Sequence, residues 1–207
     1  MKNKPQARKI FSFVVDGECE IWYLQMLRKN ENLLNINVKP ELPQKKKLSD
    51  QFKIVKELAE ESEKVFWIID FDNINKETQE AKKGEKTALQ QFKEYYNQVS
   101  VNVIIIINNP CLEFWFLLHY KQTSRYFATY ADLEKELKQN LSDYQKTEKY
   151  FKNSRQDIYQ RLQPLLKTAI ANSKSSSFGF DDTHKGLSEM SKIFDEFEKW
   201  MQSFAKI

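Results

Sequence analysis

The chain has 207 residues, of which 41% are hydrophobic and 30% charged, and 33 basic against 29 acidic side chains give a net charge of +4. This length suits one sizeable core, and the composition excludes a disordered chain and a membrane protein, because the apolar runs are too short to span a bilayer. Cys19 and Cys111 show no paired spacing, so we expect reduced thiols in a cytoplasmic protein rather than a disulfide or a zinc site.

The first residues with a clear pattern predict a strand, a turn and a helix. Residues 10–15 form a β-branched and aromatic run that stops at Asp16-Gly17, which is typical of a strand followed by a turn. The helix that follows carries Glu18 and Glu20 in its first turn, where negative charges interact favourably with the helix dipole. A structural role for these glutamates therefore stands beside any functional one.

A second strand and a second helix are predicted next. Alternating apolar residues at 33–38 predict a short strand that ends before Pro40. A helix capped by Ser49 or Asp50 then runs through Leu58. Strands and helices thus alternate from the start of the chain, which favours an α/β fold.

Residues 65–72 contain a continuous apolar run that ends in Asp70 and Asp72. Such a run predicts a strand that is buried on both faces, as in a parallel sheet. The carboxyl ends of parallel strands form the crevice where α/β proteins bind ligands, so the two aspartates would form a Mg²⁺ site if they converge. Alternatively, one aspartate caps the next turn and the other is solvated. The polar residues 73–84 have no clear period and predict a loop.

The strongly β-branched run at residues 101–107 predicts another buried strand, followed by a short apolar helix. We expect Asn109 to cap that helix and Pro110 to occupy its first position. Glu113 then lies among large apolar side chains, where a carboxylate costs several kcal/mol unless it is paired or binds a metal. Glu113 is therefore a functional candidate, although a salt bridge to a lysine would offset the same cost.

The second half of the chain is predicted to be helical. Apolar residues recur at helical spacing from Ser124 onwards, and Pro164 is expected to break or kink a helix that begins near Ser154. We therefore expect an α/β core at residues 1–123 and a helical extension at residues 124–207, packed together as one structural unit.

Acidic residues follow three of the predicted strands: Asp16, then Asp70 with Asp72, then Glu113. Because the carboxyl ends of parallel strands meet at one edge of a sheet, these acids would share a cation. Mg²⁺ takes a few carboxylates and keeps waters for substrate phosphates, so the pattern indicates phosphoryl transfer. Asp16 or Glu20 would then donate or accept the proton.

Three segments resemble the signatures of RloB-like proteins, a Toprim-related family linked to restriction-modification and phage-defence loci. They are Asp16-Gly17-Glu18-Cys19-Glu20, Asp70-Phe71-Asp72 and the segment from Asn109-Pro110-Cys111 to Leu117-Leu118-His119. The last segment is the most specific. Looser similarity continues at Tyr144, Lys146 and the segment from Thr183 to Leu187.

The resemblance implies a Toprim-like fold, a mostly parallel four-stranded sheet between helices. In Toprim enzymes a Glu-Gly after the first strand and an Asp-x-Asp after the third bind Mg²⁺. The resemblance therefore assigns Mg²⁺, or Mn²⁺, to Asp16, Asp70 and Asp72, and catalytic roles to these three with Glu20 and Glu113. The sequence departs from the family pattern at Asp16, where the pattern has the longer glutamate.

The activity that the resemblance implies is a nuclease that cleaves DNA or RNA in antiphage defence, with an ABC- or SMC-related ATPase as a partner. Candidate nucleic-acid contacts are Lys146, His119 and Lys185. For His119, on an apolar helix, the alternative is a buried, hydrogen-bonded histidine. The alternative function is a non-catalytic Toprim-like module that docks a defence ATPase or nucleic acid.

Overall fold

The computed structural model describes residues 9–31, 36–41 and 47–204, and it shows one open sheet flanked by helices. The strands are β1 (Lys9–Val14), β2 (Ile36–Glu41), β3 (Lys64–Asp70), β4 (Val103–Asn109) and β5 (Leu187–Ser188). They lie in the order β2-β1-β3-β4-β5, and the first four run parallel while the two-residue β5 pairs antiparallel with β4. The predicted α/β fold with a mostly parallel four-stranded sheet is confirmed. The short edge strand β5 was not predicted.

The helices of the described residues follow each strand and then fill the second half of the chain. They are α1 (Glu18–Asn30), α2 (Leu48–Glu61), α3 (Phe71–Glu80), α4 (Ala88–Tyr96), α5 (Glu113–Leu118), α6 (Tyr130–Leu137), α7 (Glu148–Phe151), α8 (Ile158–Leu162), α9 (Leu166–Lys174) and α10 (Ser191–Phe204). Pro164 lies in a 3-10 turn between α8 and α9, so the predicted helix break is confirmed.

Side chains of β3 alternate between two hydrophobic clusters, one on each face of the sheet. Phe66 and Ile68 belong to the cluster that includes α1, α5 and the C-terminal helices. Trp67 and Ile69 belong to the cluster formed with α2 and α4. Because both faces are buried, the strand is apolar at almost every position, as its sequence predicts.

Helix α5 lies at the centre of the larger cluster, and all of its residues are buried. The same cluster contains Phe13 of β1, Trp115 of α5 and Ile193 of α10. The C-terminal helices therefore complete the core on one face of the sheet, since they share its buried side chains rather than forming a separate core.

The loop predicted at residues 73–84 is wrong over most of its length, because α3 occupies Phe71–Glu80. The segment has few apolar residues, yet Phe71 and Ile74 are both buried at helical spacing. The ring of Phe71 packs against that of Phe178, with 4.9 Å between the centroids. Tertiary packing of this narrow apolar stripe thus stabilises a helix that the local pattern does not predict.

Helix α5 begins later than predicted. Asn109 is the last residue of β4 rather than a helix cap, its peptide bond to Pro110 is cis, and the helix starts at Glu113. The side-chain amide of Asn109 donates hydrogen bonds to the carbonyl oxygens of Thr183, at 2.8 Å, and Lys185, at 2.9 Å. Asn109 therefore ties the end of β4 to the segment that precedes β5.

The second strand and helix are also displaced from their predicted positions. Residues 33–35, the start of the predicted strand at 33–38, lie outside the described residues, and β2 continues past Pro40. Proline is compatible with this position because β2 is an edge strand of the described sheet. Helix α2 begins directly after Lys47, so the serine and aspartate expected to cap it lie within its first turn.

Both cysteines are free thiols, as predicted, and both are buried. Burial raises the pKa of Cys19 and of Cys111 above the ordinary range. Neither thiol is therefore prone to ionise near neutral pH. None of the described helices has both the length and the apolar composition that crossing a bilayer requires.

Candidate functional site

An open cleft of about 380 Å³ lies at the carboxyl ends of β1 and β3, at the edge where parallel sheets bind ligands. Five acids and one lysine are its charged lining: Asp16, Glu18, Glu20, Asp70, Asp72 and Lys146. Because β1 and β3 are neighbours in the sheet, the structure brings four of the five predicted catalytic acids together here. Glu113, the fifth, lies behind the cleft.

Asp16 accepts hydrogen bonds from three N–H groups of other elements. Its Oδ1 accepts from Nε2 of Gln51, and its Oδ2 accepts from the backbone N of Asp70, at 3.3 Å, and from Nδ2 of Asn73, at 3.1 Å. Behind Gln51, the indole Nε1 of Trp67 donates to Oε1 of Gln51 at 2.8 Å. Since an indole N–H can only donate, it directs the amide NH₂ of Gln51 towards Asp16. These contacts orient the Asp16 carboxylate and stabilise its negative charge.

Glu20 lies against Gly17 at the start of α1. A Cβ atom added to Gly17 would approach Oε2 of Glu20 to 2.9 Å, so any side chain at this position would displace the carboxylate. Gly17 has an extended backbone, so close approach rather than an unusual φ is the reason for glycine. Burial raises the pKa of Glu20 to about 7, and the charges of Glu113 and Asp16 raise it as well. A carboxyl that titrates near neutral pH suits proton transfer.

Asp70 is buried beside other acids, and Asp72 is exposed close to it at the cleft. Burial raises the pKa of Asp70 well above its usual range, and the charges of Glu20 and Asp16 raise it further. The pKa of Asp72, in the first turn of α3, is also raised, first by burial. Oδ1 of Asp70 has no hydrogen-bond partner among the described groups. The ionised pair is therefore unfavourable by itself, and a bound cation would relieve the repulsion.

Glu113 is fully buried and paired with a lysine, which is the structural alternative that the sequence left open. Its Oε1 accepts a hydrogen bond from the hydroxyl of Tyr144 at 2.8 Å and lies 3.0 Å from Nζ of Lys146. Burial is the largest influence on the pKa of Lys146 and lowers it, but the charge and hydrogen bond of Glu113, together with Cys111 and Cys19, raise it overall. Nζ of Lys146 also lies 4.6 Å from the centre of the Tyr130 ring. Lys146 thus places a stable positive charge in the cleft lining.

The other two candidate nucleic-acid contacts do not line the cleft. His119 is only 1% exposed, and its Nδ1 lies 3.0 Å from the carbonyl oxygen of Trp115. Burial lowers the pKa of His119 to about 4, so the ring is neutral at physiological pH. Lys185 is partly buried in the segment before β5, where its carbonyl oxygen accepts the hydrogen bond from Asn109.

Three polar residues that shape the cleft are not identified from the sequence: Gln51, Asn73 and Tyr130. Gln51 lies in an amphipathic helix without any motif around it, and Tyr130 lies in the helical extension. Asn73 alone had a signal, because it directly follows the Asp-Phe-Asp motif. Its hydrogen bond to Asp16 could not be predicted, because the sequence did not show that the motif begins a helix.

The chemistry of the cleft suits a hard divalent cation. Carboxylates of Asp70, Asp72 and Glu20 line it, and the first has an oxygen without a hydrogen-bond partner within the described chain. In the parts of the chain that the structure describes, no three His, Cys, Asp or Glu side chains form a ready metal cage. Mg²⁺ is commonly bound by only one or two carboxylates with waters and substrate phosphates, so an open set of this kind fits it.

The fold and the cleft define an α/β protein with an acidic cleft at the carboxyl edge of a mostly parallel sheet. The family model described as RloB-like protein matches residues 11–196, which include every acid of the cleft. The chain therefore belongs to the RloB-like family. Searches among curated proteins and among solved structures found no significant match.

Proposed function

We propose that the protein is a Toprim-like, metal-dependent nuclease that cleaves phosphodiester bonds in DNA or RNA with Mg²⁺ or Mn²⁺. The observation that carries the proposal is the buried oxygen of Asp70 that lacks a hydrogen-bond partner among the described groups, in a cleft where Glu20 and Asp16 crowd it with like charge. Burying like charges costs free energy that a divalent cation at these oxygens would offset.

In this proposal Asp70 and Asp72 hold the cation, and Asp16 positions them. Both Asp16 oxygens already accept hydrogen bonds, one of them from the backbone of Asp70, which supports a positioning role rather than the direct ligand role expected from the sequence. A bound cation supplies Lewis-acid stabilisation of negative charge on the phosphodiester. Glu20, with a pKa of about 7, exchanges a proton with the attacking water or the leaving oxygen.

Lys146 contacts the substrate phosphate in this proposal, because it is the positively charged side chain among the described residues that line the cleft. Glu113 then acts indirectly, since it pairs with Lys146 and does not itself line the cleft. A lysine held by a buried carboxylate presents its charge at a defined place, which suits a polyanionic substrate.

Family membership supports a role as an effector in antiphage defence, with an ABC- or SMC-related ATPase as the partner that activates it. Phage plating efficiency on cells that carry the native locus, with wild-type or Asp70→Asn protein, measures this role. We expect the variant to lose protection, and equal plating on both strains would contradict the defence role.

A second candidate is a non-catalytic module that docks a defence ATPase or nucleic acid. Internal pairing of two of the predicted catalytic acids favours it, since Asp16 is bonded by Gln51 and Asn73, and Glu113 by Lys146. Such a module has no need for divalent cations, so metal dependence separates the two candidates.

The test is a cleavage assay on single-stranded and duplex DNA and RNA with Mg²⁺ or Mn²⁺, using wild-type and Asp70→Asn protein. The variant keeps the side-chain volume and removes one crowded charge, so it should fold. We expect it to lose activity on the order of 10²-fold, because the cation that stabilises transition-state charge is then held less tightly. The matched control, Asp181→Asn at an exposed position, should cleave normally.

Cleavage that persists in Asp70→Asn would exclude the proposed site. No metal-dependent cleavage of any nucleic acid by the wild-type protein would favour the docking module.

A further inference from the structure

A second groove of about 340 Å³ adjoins the acidic cleft. It runs between α3 and residues 126–129, which precede α6. Asp72 and Asn73 line both the cleft and the groove. A chain with one phosphate in the cleft would therefore extend directly into the groove.

The lining of the groove is dominated by amides rather than by charges. Four amide side chains line it: Asn73, Asn75, Gln79 and Asn109. Its charged side chains, Asp72 and Lys76, have opposite signs. Because an amide offers both a donor and an acceptor, this lining suits a neutral ligand with hydrogen-bonding edges better than it suits a phosphate.

The floor of the groove contains a buried acceptor without a partner. Asn109 is 1% exposed, and its Nδ2 donates to two backbone carbonyl oxygens of the segment before β5. Its Oδ1 has no hydrogen-bond partner among the described groups. A buried acceptor without a partner costs free energy, and the residue that carries this one lines the groove.

One wall of the groove is aromatic. Tyr126 is half-buried there, and its ring meets the ring of His184 edge to face, with 5.4 Å between the centroids. A tyrosine ring held by such a contact is a platform on which a flat heterocycle stacks. The groove thus offers an aromatic ring on which the face of a nucleobase can stack, and amide groups that can hydrogen-bond with the edge of the base.

The size of the groove favours one strand over two. Positions 72, 75, 76 and 79 lie along one stripe of α3, and seven residues of helix span about 10 Å. Bases in a duplex are stacked and paired, so their edges and faces cannot enter a concave pocket of this kind.

We propose that this groove binds an unpaired nucleobase beside the scissile phosphate, so that the protein acts on single-stranded nucleic acid or on unpaired loops. The inference rests on the proposed nuclease function, because the cleft places the phosphate next to the groove. It adds the substrate class, which neither the family nor the acidic cleft indicates.

The test is binding of the full chain to short labelled oligonucleotides by fluorescence anisotropy, with Ca²⁺ in place of Mg²⁺ and also with EDTA. Each sequence is used as single strand and as duplex, in RNA and in DNA. We expect the single strand to bind about tenfold more tightly than its duplex, and the RNA and DNA arms to identify the preferred sugar.

Variants locate the binding to the groove. We expect Tyr126→Ala to weaken single-strand binding about tenfold and Tyr126→Phe to preserve it, because stacking needs the ring and not the hydroxyl. Gln79→Ala, at an exposed position on α3, should also weaken binding, whereas the matched control Gln139→Ala, an exposed glutamine after α6, should not.

Equal binding of duplex and single strand, unchanged binding by Tyr126→Ala and Gln79→Ala, or no binding to any oligonucleotide would each overturn the proposal. Single-strand binding that depends on Tyr126 in a protein that cleaves nothing would support the groove and contradict the nuclease. Cleavage that needs Asp70 but not Tyr126 would support the nuclease and contradict the proposed role of the groove.

Discussion

Asp16 occupies the position where the family pattern has glutamate, and its contacts show how the shorter side chain is accommodated. Gln51 of α2 and Asn73 of α3 both donate hydrogen bonds to it, and Trp67 holds Gln51 in the orientation that permits this. The shorter carboxylate is thus joined to two helices and to the end of β3. Oδ1 of Asp70, by contrast, has no hydrogen-bond donor among the described groups, and this is where a cation would act.

Glu20 makes the stability of the metal-free protein depend on pH. Its pKa is about 7 in the folded protein and about 4.5 in the unfolded chain, so the folded state binds the proton more tightly. The stabilisation from this proton is complete below about pH 4.5 and is lost as pH rises through about 7. In EDTA, we expect Glu20→Gln to unfold with a free energy higher than wild type by on the order of 2 kcal/mol at pH 8, and similar to it at about pH 4.5.

Urea unfolding at the two pH values measures this difference. Glu18→Gln is the matched control, because Glu18 lies in the same helical turn and is exposed. If Glu20→Gln and wild type have equal unfolding free energies at pH 8, then Glu20 does not carry the raised pKa described here.

For single residues, the sequence predicts the carboxylates at the strand ends but not the amide side chains that hydrogen-bond with them. Asp70 and Asp72 are predictable because they end an apolar run, and strand ends of a parallel sheet converge. Gln51 is not, because its contacts with Asp16 and Trp67 depend on how α2 packs across the sheet. For Glu113 the sequence left metal binding and a salt bridge open, since its partner lies 33 residues further along the chain.

The turn between α6 and α7 is the element through which the helical extension reaches the cleft. Tyr144 of this turn is buried and donates its hydroxyl hydrogen bond to Glu113, and Lys146 continues into the cleft lining. A buried carboxylate in the α/β core therefore depends on partners from the extension. The contact thus joins residues on the two sides of the predicted boundary at 123/124.

Substituting Lys146 with methionine should destabilise the protein, because it leaves the charge of Glu113 buried without the cation that pairs with it. We expect a loss of about 2 kcal/mol, below the usual cost of breaking a fully buried pair, because Lys146 is 43% exposed. Adding Glu113→Gln to Lys146→Met should recover most of the loss, since no buried charge then remains.

Denaturant unfolding of the two single variants and the double variant gives the coupling energy. Lys152→Met is the matched control, because it removes a lysine from a pair with Glu148 on the surface of α7 and should change stability by less than about 0.5 kcal/mol. A loss from Lys146→Met no larger than that of the control would show that the buried pair contributes little.

Elements with strong periodicity are predictable from the sequence, and elements held by distant contacts are not. Helix α4 has both apolar periodicity and a complete capping box from Thr87 and Gln90. Helix α3 has only Phe71 and Ile74 at helical spacing and no side-chain cap, and its burial depends on Phe178, about a hundred residues later in the chain. The late start of α5 has the same kind of cause, because Asn109 bonds the segment before β5 instead of capping a helix.

At the scale of the whole molecule, the cleft lies where the two layers of helices meet at one edge of the sheet. Gln51 contacts Asp16 of the cleft from the layer of α2 and α4, while Tyr130 and Lys146 line the cleft from the opposite layer. The cleft collects five acids and one lysine from a chain with a net charge of +4, so the rest of the molecule is more basic than that value indicates. A positive charge balance outside an acidic cleft is compatible with a polyanionic ligand.

Isothermal titration of Mn²⁺ into the metal-free full chain measures whether the acidic cleft binds a cation, and the result does not depend on the choice of nucleic-acid substrate. We expect saturable binding by wild type with a rise in melting temperature, since a ligand that binds only the folded state stabilises it. Asp70→Asn and Asp72→Asn should each lose this binding, and Asp181→Asn should retain it. Absence of binding by wild type, or equal binding by Asp70→Asn, would contradict the account.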